Sequence, residues 1–543
     1  MSSQGRLGTP EPATPPAPDA TPVVGEKVDV VIVGSGAAGS VMAALLAEAG
    51  KSVLILEGGP EWHLDDMISS QIWSRRLKHA ADMPVVLTGG EHPLNVGLNS
   101  GWGTGGSALH HYAVWLRMHE SDFAMRSRFG AGADWPIGYD DLRPFYDRVQ
   151  TEVGISGDAE REVWRPAGEP YPLPPLPLFA QGELIRKSFD AIGVRTAPVP
   201  MAILSQPYAG RNACISDGWC DAGCPIGALA NPLVTYLPRA IAAGARIQHH
   251  SQVLRVLTDD SGRRVTGVEY GNSRTGAIQT QEATVIVLAA AAIENPRILL
   301  NSADGGLANS SGIVGRYMMT HASRGVYGLF EEDTQPAYGV SGGQLTGQDA
   351  YEPDHSEQFT GGYTWQLALA SKPNDLLGIA NARADLFGQP LVDFLRTAVD
   401  HIAVMGVLGH NIPNAVSRLT LSDQTDRFGM PIIESTHSWS ADDLAAVTAG
   451  VDEGTRALTA GGATTVWSGG LGSQHILGGV RMGDDPESSV CDSYGRTHDL
   501  PNLFVAGSSL FPTSGAVNPT FTINALTTRA AEWMTAHWSA IAD

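Results

Sequence analysis

The sequence has few cysteines and no long apolar run, and each absence excludes a class of protein. Four cysteines in 543 residues are too few for a disulfide-rich secreted scaffold. The longest apolar run, Val285 to Ile293, is far shorter than the roughly 20 residues that cross a bilayer. We therefore predict a protein that does not insert directly into a membrane.

Basic residues are also scarce. The chain has 35 lysines and arginines against 57 acidic residues, and its formal net charge is −22. Nucleic-acid binding and binding to anionic membrane surfaces both depend on Lys and Arg, so we predict neither. The composition is 43% hydrophobic and 17% charged, which is typical of a globular protein, and the length allows two or more domains.

The N-terminal segment lacks both the basic region and the apolar region of a signal peptide. Met1 to Val24 is rich in Pro, Ala and Thr, and we predict a disordered tail over residues 1–26. A chain without its own export signal would stay in the cytoplasm or leave it together with a signal-bearing partner subunit.

Residues 28–57 follow the pattern of a βαβ unit. The β-branched run at 28–33 predicts a buried strand, residues 37–49 predict an Ala-rich helix, and residues 52–57 predict a second strand. Two strands joined by a helix in this way lie parallel in one sheet.

A glycine loop of the form G-x-G-x-x-G lies between the first strand and the helix. Gly34 would form the tight turn, Gly36 would let a pyrophosphate approach, and Gly39 would allow close packing of helix and strand. Glu57 ends the second strand, where it could accept hydrogen bonds from a ribose diol and disfavour the 2′-phosphate of NADP. The loop alone does not separate NAD from FAD, and an ordinary glycine turn with a surface glutamate is the simpler alternative.

The later elements are marked less sharply. Strands are predicted near 252–258, 264–270, 284–288 and 503–507, and helices at 293–300, 441–459 and 521–537. Residues 330–440 alternate apolar and polar side chains, which predicts an antiparallel sheet that ends at residues 418–421.

Motifs spread over most of the chain carry a family resemblance. They are residues 105–117, 134–142, 171–178, 214–227, 291–297, 475–484 and 505–520. In these segments the chain resembles the glucose–methanol–choline (GMC) oxidoreductases. It is most similar to the flavoprotein subunits of gluconate, fructose and bacterial FAD-dependent glucose dehydrogenases and to glucoside 3-dehydrogenases, with the oxygen-using pyranose oxidases as neighbours.

The resemblance implies an α/β fold in which a Rossmann-like FAD-binding domain is interleaved with a substrate domain built on an antiparallel sheet with helices. The FAD-binding domain would span residues 27–330, with a cluster segment at 205–230, and the substrate domain 331–472. Residues 473–543 would return to the first domain. The FAD-binding residues implied by the resemblance are Gly34, Gly36, Gly39, Glu57, Gly105, Gly106, His110, Val253, Ala289, Ala506, Gly507, Asn518 and Thr520.

His110 occupies the position at which related flavoproteins carry a histidine that can bond covalently to the flavin. Its neighbours Leu109 and His111 differ from the aromatic residues found in those relatives. Covalent attachment of FAD through His110 is therefore a hypothesis, and packing of the histidine beside the isoalloxazine is the alternative.

The resemblance also implies the catalytic pair. His475 matches the family's catalytic histidine, and Asn518 matches the partner that hydrogen-bonds the substrate oxygen, an Asn in sugar dehydrogenases and pyranose oxidases. Oxidation of an alcohol needs a base for the hydroxyl proton, and histidine suits that role. We expect oxidation of a sugar, glycoside or polyol. His321 is expected to be structural or pocket-lining, and no role is assigned to His249, His250 and His410.

Three of the four cysteines, Cys214, Cys220 and Cys224, fall within eleven residues, and a proline follows the last. Such spacing suits an iron–sulfur cluster, either [3Fe–4S] or [4Fe–4S] with another fourth ligand. Zinc would normally need a fourth ligand, and a disulfide with a spare thiol is the simpler alternative. The resembling dehydrogenases carry a [3Fe–4S] cluster here. Cys491 is expected to be a free buried thiol.

A cluster would let a reduced flavin release its two electrons one at a time to a protein acceptor. That acceptor would be cytochrome-like, because the chain has no C-x-x-C-H haem site, and a small partner subunit is common in the family. An oxidase that makes hydrogen peroxide is the main alternative. A non-catalytic electron-transfer subunit that retains flavin is another.

Overall fold

The structure of the chain is a computed structural model that describes residues 23–78, 83–94, 100–353 and 356–543. Its strands are, in chain order, β1 (Val23–Val24), β2 (Val28–Val33), β3 (Val53–Leu56), β4 (Val86–Gly89), β5 (Ala197–Pro198), β6 (Arg246–Gln248), β7 (Ser251–Thr258), β8 (Val265–Asn272), β9 (Ile278–Leu288), β10 (Met319–Leu329), β11 (Leu345–Gly347), β12 (Tyr363–Leu367), β13 (Ile402–Gly409), β14 (Arg418–Thr425), β15 (Pro431–Thr436), β16 (Thr465–Ser468), β17 (Gly472–Leu477) and β18 (Leu503–Val505).

Its α-helices are, in the same order, α1 (Ala37–Glu48), α2 (Gln71–Lys78), α3 (Met125–Phe129), α4 (Tyr139–Val153), α5 (Ala180–Asp190), α6 (Tyr236–Ala242), α7 (Ala291–Ser302), α8 (Asp375–Ala380), α9 (Gln389–His401), α10 (Ala441–Ala460), α11 (Thr520–Ala536) and α12 (Trp538–Ala542). Over the described ranges, none of these helices is long and apolar enough to cross a membrane.

The predicted βαβ unit lies in an eight-stranded sheet. Strands follow the order β6-β3-β2-β9-β8-β7, and β1 and β18 also pair with β9. β6, β3, β2, β18 and the C-terminal part of β9 run parallel, whereas β7, β8 and the first part of β9 are antiparallel. β2 and β3 are buried nearly throughout, as expected for parallel strands covered on both faces.

The C-terminal segment returns to this sheet through β18. Val505 pairs with Leu288 of β9, which in turn pairs with Val33 of β2. The carboxyl ends of three strands far apart in sequence therefore meet at one edge. α11 then packs on α1 and α4, which closes the helical layer over this part of the sheet.

A seven-stranded antiparallel sheet forms the second body of the fold. Its order is β16-β10-β13-β12-β11-β5, and β17 also pairs with β10. α10 covers one face with buried apolar residues that pack on β12 and β13. A reciprocal pair of bonds caps α10: Asp443 N donates to Ser440 Oγ at 3.1 Å, and Ser440 N donates to Asp443 Oδ2 at 2.8 Å.

The structure departs from the sequence-based expectations in three places. The expected sheet over 330–440 is interrupted by α8 and α9, and β14 pairs instead with β15 and β4 in a separate three-stranded sheet. Alternation marks a half-exposed strand but does not identify its partner, so the prediction for residues 418–421 was wrong. β10 already belongs to the second sheet, before the expected boundary at residue 330. Residues 1–22 of the expected tail lie outside the described residues, but Val23 and Val24 form β1 and pair with β9, so the expected tail over 1–26 is not disordered at these two residues.

Candidate active site

The glycine loop lies at the carboxyl edge of the first sheet. Gly34 has φ +97°, and a Cβ there would be 2.8 Å from Ala289 O; a Cβ on Gly39 would be 2.0 Å from Gly34 O. Gly36 is different, since its nearest neighbour would be Gly105 O at 3.9 Å. Gly36 is also the N-cap of α1 and provides no side-chain cap. Free backbone N–H groups beside an open glycine fit a pyrophosphate.

Three more of the expected FAD residues border this loop. Ala289 N donates to Val33 O and Ala506 N to Leu288 O, so both residues directly follow the paired strand ends. Gly507 has φ +106°, and a Cβ there would be 3.8 Å from Ala38 Cβ in the first turn of α1. Ligands of open α/β sheets bind at this edge.

Glu57 is buried, and its carboxylate is fully engaged within the protein. It accepts hydrogen bonds from Ser35 N at 3.0 Å, Ser35 Oγ at 2.7 Å, Gly59 N at 3.0 Å and Gly103 N at 3.2 Å. Burial raises the pKa of Glu57 above its ordinary value, although these hydrogen bonds act to lower it. Because a carboxylate offers about four acceptor positions, a ribose diol would compete with one of these N–H groups. The contact of Glu57 with a ribose stays a prediction.

The segment from Trp102 to His110 lies against the glycine loop. Gly105 N donates to Ser35 Oγ at 3.1 Å, and a Cβ on Gly106 would lie 3.4 Å from Gly36 Cα. Trp102 Nε1 and His110 Nε2 are buried and have no hydrogen-bond partner among the described residues. Buried polar atoms are usually paired, so the two orphaned nitrogens fit a cofactor that contacts this segment.

His110 is only 4% exposed, and burial together with the charge of Lys78 lowers its pKa to about 3. The imidazole is therefore neutral, and Nε2 is free to contact or bond a flavin. Two further expected residues lie near the cofactor edge. Val253 is buried in β7, whose first residue Ser251 donates its N–H to Glu57 O, and Thr520 is the first residue of α11.

The expected catalytic pair is in direct contact. Asn518 Nδ2 lies 3.1 Å from His475 Nε2, and Gln366 Nε2 donates to Asn518 Oδ1 at 2.7 Å. His475 has φ +53°, which is unusual for a residue other than glycine and is typical of strained functional positions. In the facing strand β10 the pairing with β17 shifts between Thr320 and His321, an irregularity of the kind that redirects side chains.

His321 contributes more to this site than the sequence indicated. Its Nδ1 lies 3.1 Å from His475 Nδ1, and its Nε2 lies 2.9 Å from Gly515 O. Burial lowers the pKa of His321 to about 4. Burial and the neighbouring His321 also lower the pKa of His475 well below its ordinary value. Both imidazoles are therefore neutral at neutral pH.

Gln366 could not be identified from the sequence, because β12 contains no recognisable motif. It extends from the face of the second sheet opposite α10. On that face it neighbours Gly406 in β13, which pairs with Gly325 in β10. A Cβ on Gly406 would meet nothing closer than 3.9 Å, and one on Gly325 would lie 2.2 Å from Tyr327 Oη. Gly406 therefore leaves open space next to Gln366, and the Tyr327 hydroxyl fills the place that a side chain on Gly325 would take.

Cys214, Cys220 and Cys224 line one cavity of about 90 Å³ together with Ile203, Ile215 and Trp219. Each sulfur accepts a backbone hydrogen bond: from Ser216 N to Cys214 at 3.3 Å, from Ser341 N to Cys220 at 3.4 Å, and from Leu229 N to Cys224 at 3.4 Å. All four cysteines of the chain are free thiols, and Cys491 is buried as expected. The disulfide alternative therefore finds no support.

The three thiols favour the protonated form in this environment. Burial raises the pKa of all three thiols, that of Cys220 to about 12. In the part of the chain that is described, no group of three or more His, Cys, Asp or Glu side chains is arranged to hold a metal ion. The cluster ligands therefore stay a prediction.

The cysteine segment packs directly against the segment that carries His110. Leu109 and Ala222 belong to the same small apolar cluster, together with Trp62, Met67 and Trp73. Asp221, between Cys220 and Ala222, accepts a hydrogen bond from Lys78 Nζ at 2.8 Å, and both charges act on His110. The expected flavin site and the cysteines are thus neighbours in the fold.

Known proteins match the chain over nearly its full length. The GMC oxidoreductase family matches residues 28–323 and 413–527. The 2-methyl-1,2-propanediol dehydrogenase of Mycolicibacterium austroafricanum is 31% identical over 95% of this chain and 97% of its own. The fructose dehydrogenase large subunit of Gluconobacter japonicus is 29% identical over 93% of this chain and 97% of its own.

Among solved structures, pyridoxine 4-oxidase from Mesorbium loti has a similar fold, with a TM-score of 0.67, 20% identity, and coverage of 94% of this chain and 99% of that one. The expected α/β fold and the resemblance stated from the motifs are both confirmed. The chain therefore belongs to the GMC oxidoreductases, a family of FAD-dependent enzymes that oxidise alcohol and sugar hydroxyls.

Proposed function

We propose that this protein oxidises one hydroxyl of a sugar, glycoside or polyol to a carbonyl and passes the electrons through an iron–sulfur cluster to an external acceptor. The observation that carries the proposal is the contact between His475 Nε2 and Asn518 Nδ2 beside the carboxyl edge of the first sheet. It pairs a base with a hydrogen-bond donor.

FAD, when bound, supplies the two-electron oxidation by taking a hydride from the carbon that bears the hydroxyl. Gly34, Gly36 and Gly39 would hold its pyrophosphate end, and residues 105–110 and Ala506–Gly507 would hold the rest. Covalent attachment through His110 is a hypothesis within this proposal. Flavin that stays with the denatured parent chain but separates from a His110→Ala variant would support it, and a flavin-free tryptic peptide that contains His110 would refute it.

The chain's own part in the reaction is proton transfer and orientation. His475 Nε2 takes the hydroxyl proton, and Asn518 Nδ2 donates a hydrogen bond to the substrate oxygen. The substrate would thus lose one proton to His475, and with FAD bound it would lose one hydride to the flavin, so that its C–O single bond becomes C=O. Because the pKa of His475 is low in this structure, the imidazole is ready as a neutral base.

A polyhydroxylated substrate is favoured by the second sheet. Its face next to Asn518 presents Gln366, the hydroxyl of Tyr327 and small residues such as Gly406. Polar groups of this kind can hydrogen-bond several hydroxyls, whereas an apolar substrate would leave them unpaired. The names of two relatives, a propanediol dehydrogenase and a fructose dehydrogenase, also refer to molecules with more than one hydroxyl.

The cluster proposal is supported by the cavity shared by the three cysteines and by the backbone N–H groups directed at each sulfur. Cys214, Cys220 and Cys224 would hold such a cluster as thiolates. A cluster supplies one-electron transfer. Ile215, on the cavity wall, is 66% exposed, which supports an exit to a protein partner at this surface.

One experiment separates the proposal from its main alternative. The purified protein is mixed anaerobically with a panel of sugars, glycosides and diols, flavin bleaching is followed, and iron and acid-labile sulfide are determined on the same sample. Bleaching by a polyol, with iron present and reduction of cytochrome c, supports the proposal. Peroxide formed in proportion to the oxidised substrate, without iron, identifies an oxidase instead.

A small partner subunit and a cytochrome acceptor belong to the same proposal, as does residence in the cytoplasm or export with such a subunit. Co-expression with candidate small subunits from the same genome, followed by co-purification and fractionation, tests all three. The absence of bleaching by every hydroxyl compound in the panel would refute the proposed catalysis.

A further inference from the structure

The hydrogen bonds around His475 form a chain with a single direction. The chain starts at Gly515 O, a carbonyl that can only accept, so the nitrogen facing it, His321 Nε2, carries the hydrogen. A neutral imidazole has one N–H group, so His321 Nδ1 is an acceptor. His475 Nδ1, 3.1 Å away, must then be the donor of this pair.

The hydrogen bonds at the other end of this series, around Asn518, agree with this assignment. Since the hydrogen of His475 is on Nδ1, its Nε2 is an acceptor, and it receives the Nδ2–H of Asn518. Gln366 Nε2 donates to Asn518 Oδ1 at 2.7 Å. If the Asn518 amide turned over, its NH₂ would face the NH₂ of Gln366, and two donors would be opposed. With its Nε2 directed at Asn518 Oδ1, Gln366 favours the orientation in which Asn518 presents Nδ2–H to His475.

We propose that His321 and Gln366 are positioning residues that hold His475 in the tautomer whose Nε2 is the unprotonated base. The inference rests on the proposed role of His475 as the base. His321 acts from behind the imidazole by accepting from Nδ1, and Gln366 acts from the front through Asn518. Neither residue needs to touch the substrate for this purpose.

The environment favours the neutral state on which the argument depends. His321 is fully buried, and its nearness together with burial lowers the pKa of both His475 and the buried His410. His410 follows β13 and is outside the chain of hydrogen bonds, and its Nε2 has no partner among the described residues. Without an acceptor at Nδ1, only the N–H of Asn518 among these hydrogen bonds opposes the His475 tautomer that carries its hydrogen on Nε2, and in that tautomer Nε2 cannot take the hydroxyl proton.

Three variants in the FAD-loaded enzyme test the proposal. His321→Leu removes the acceptor behind His475. His321→Asn restores an oxygen that can accept from Nδ1 and an NH₂ that can donate to Gly515 O. Gln366→Met removes the donor to Asn518 at nearly constant volume. His410→Gln, which changes a neighbouring buried histidine outside the chain, is the matched control.

Two measurements are made on each variant. The first is the rate of anaerobic flavin reduction at saturating substrate, with KM and bound FAD as checks. The second is the imidazole ¹⁵N spectrum of His475, assigned by its loss in His475→Gln, which reports directly which nitrogen carries the hydrogen. Tautomer populations do not respond to a merely structural loss of stability.

We expect His321→Leu to lower the rate by about 100-fold, since a positioned base contributes at least that much, with little change in KM. The His475 signal should shift toward the form with hydrogen on Nε2. His321→Asn should recover most of the rate and the parent tautomer. Gln366→Met should lower the rate by about tenfold, as for the loss of one hydrogen bond, and His410→Gln should behave like the parent.

A parent-like tautomer and rate in His321→Leu, or an equal loss of rate in His410→Gln, would overturn the inference. If His321→Leu does not fold, the proposal is tested by the spectra and rates of His321→Asn and Gln366→Met. A parent-like rate and tautomer in Gln366→Met would then refute it. The proposed function fails separately. If His475→Ala reduces its flavin at the parent rate, His475 is not the base. If His475→Ala is impaired but the variants of His321 and Gln366 are not, His475 is the base and the positioning role of His321 and Gln366 is refuted.

Discussion

Asn518 Nδ2 lies 3.1 Å from His475 Nε2, although 43 residues separate the two in sequence. β17 brings His475 to this point from the second sheet, and the segment between β18 and α11 brings Asn518 from the first. The candidate site is therefore completed only where the two sheets meet. Changes on either sheet should affect the reaction through this contact.

Asn518→Asp should nearly abolish flavin reduction without loss of FAD. A carboxylate oxygen in place of the Nδ2 donor would face the Nε2 lone pair, and it would favour a protonated imidazole that cannot act as a base. We expect a decrease of about 100-fold in the anaerobic reduction rate. Asn518→His, which keeps an N–H donor beside His475, should retain more activity, and equal rates for the two variants would contradict the account.

The folded protein should lose stability toward acid because of its buried neutral histidines. The pKa of His321 is about 4 in the folded state against 6.5 in a free side chain, so the unfolded chain binds the proton more tightly. The stabilisation is complete above pH 6.5 and is lost as the pH falls from 6.5 toward 4. The unfolding temperatures of the parent and His321→Asn, measured over this range, should converge at low pH. If the two unfolding temperatures change with pH in parallel, His321 is not the cause of the acid sensitivity.

Cys220→Ser should remove the iron and leave the fold intact. Cys220 is one of three thiols around the proposed cluster, and its serine replacement is a poor ligand for iron. Iron and sulfide per chain should fall to background, while bound FAD and the unfolding temperature change little. Cys491→Ser, at a free buried cysteine outside the cavity, is the matched control. Equal iron in the two variants would show that these cysteines do not bind a cluster.

Gly36→Ala should weaken FAD binding without unfolding the apoprotein. Gly36 has no positive φ, and a Cβ there has no neighbour within 3.9 Å, so the fold itself tolerates it. The methyl group would occupy the space left for the pyrophosphate, and a clash of about 1–3 kcal/mol corresponds to a rise in Kd of roughly 5- to 150-fold. Titration of apoprotein with FAD measures the effect. Gly378→Ala, in open space on α8, should bind like the parent.

The first sheet could be predicted closely because its signals are local. The β-branched run of β2, the glycine loop and the Ala-rich α1 each specify a conformation within a few residues, and the structure has them almost where expected. α10 also lies within one residue of the helix predicted over 441–459. By contrast, β14 alternates like any half-exposed strand, and its pairing with β15 and β4 depends on contacts far away in the chain.

The candidate site was only half accessible to sequence. His475 and Asn518 lie in recognisable motifs, but the role of His321 depends on a distance between two strands, and that of Gln366 on the orientation of an amide. Neither property has a signature in residue type or spacing. Glu57 shows the opposite case, because its position was expected but the four hydrogen bonds that engage its carboxylate were not.

The most direct test of the account is anaerobic reduction of the bound flavin by a reactive polyol, compared between the parent enzyme and His475→Ala with equal FAD content. His537→Ala, at an exposed histidine on the far end of α11, serves as the control. We expect His475→Ala to reduce its flavin at least about 100-fold more slowly than the parent and the control. A rate equal to that of the parent would contradict the assignment of His475 as the base and, with it, the proposed site.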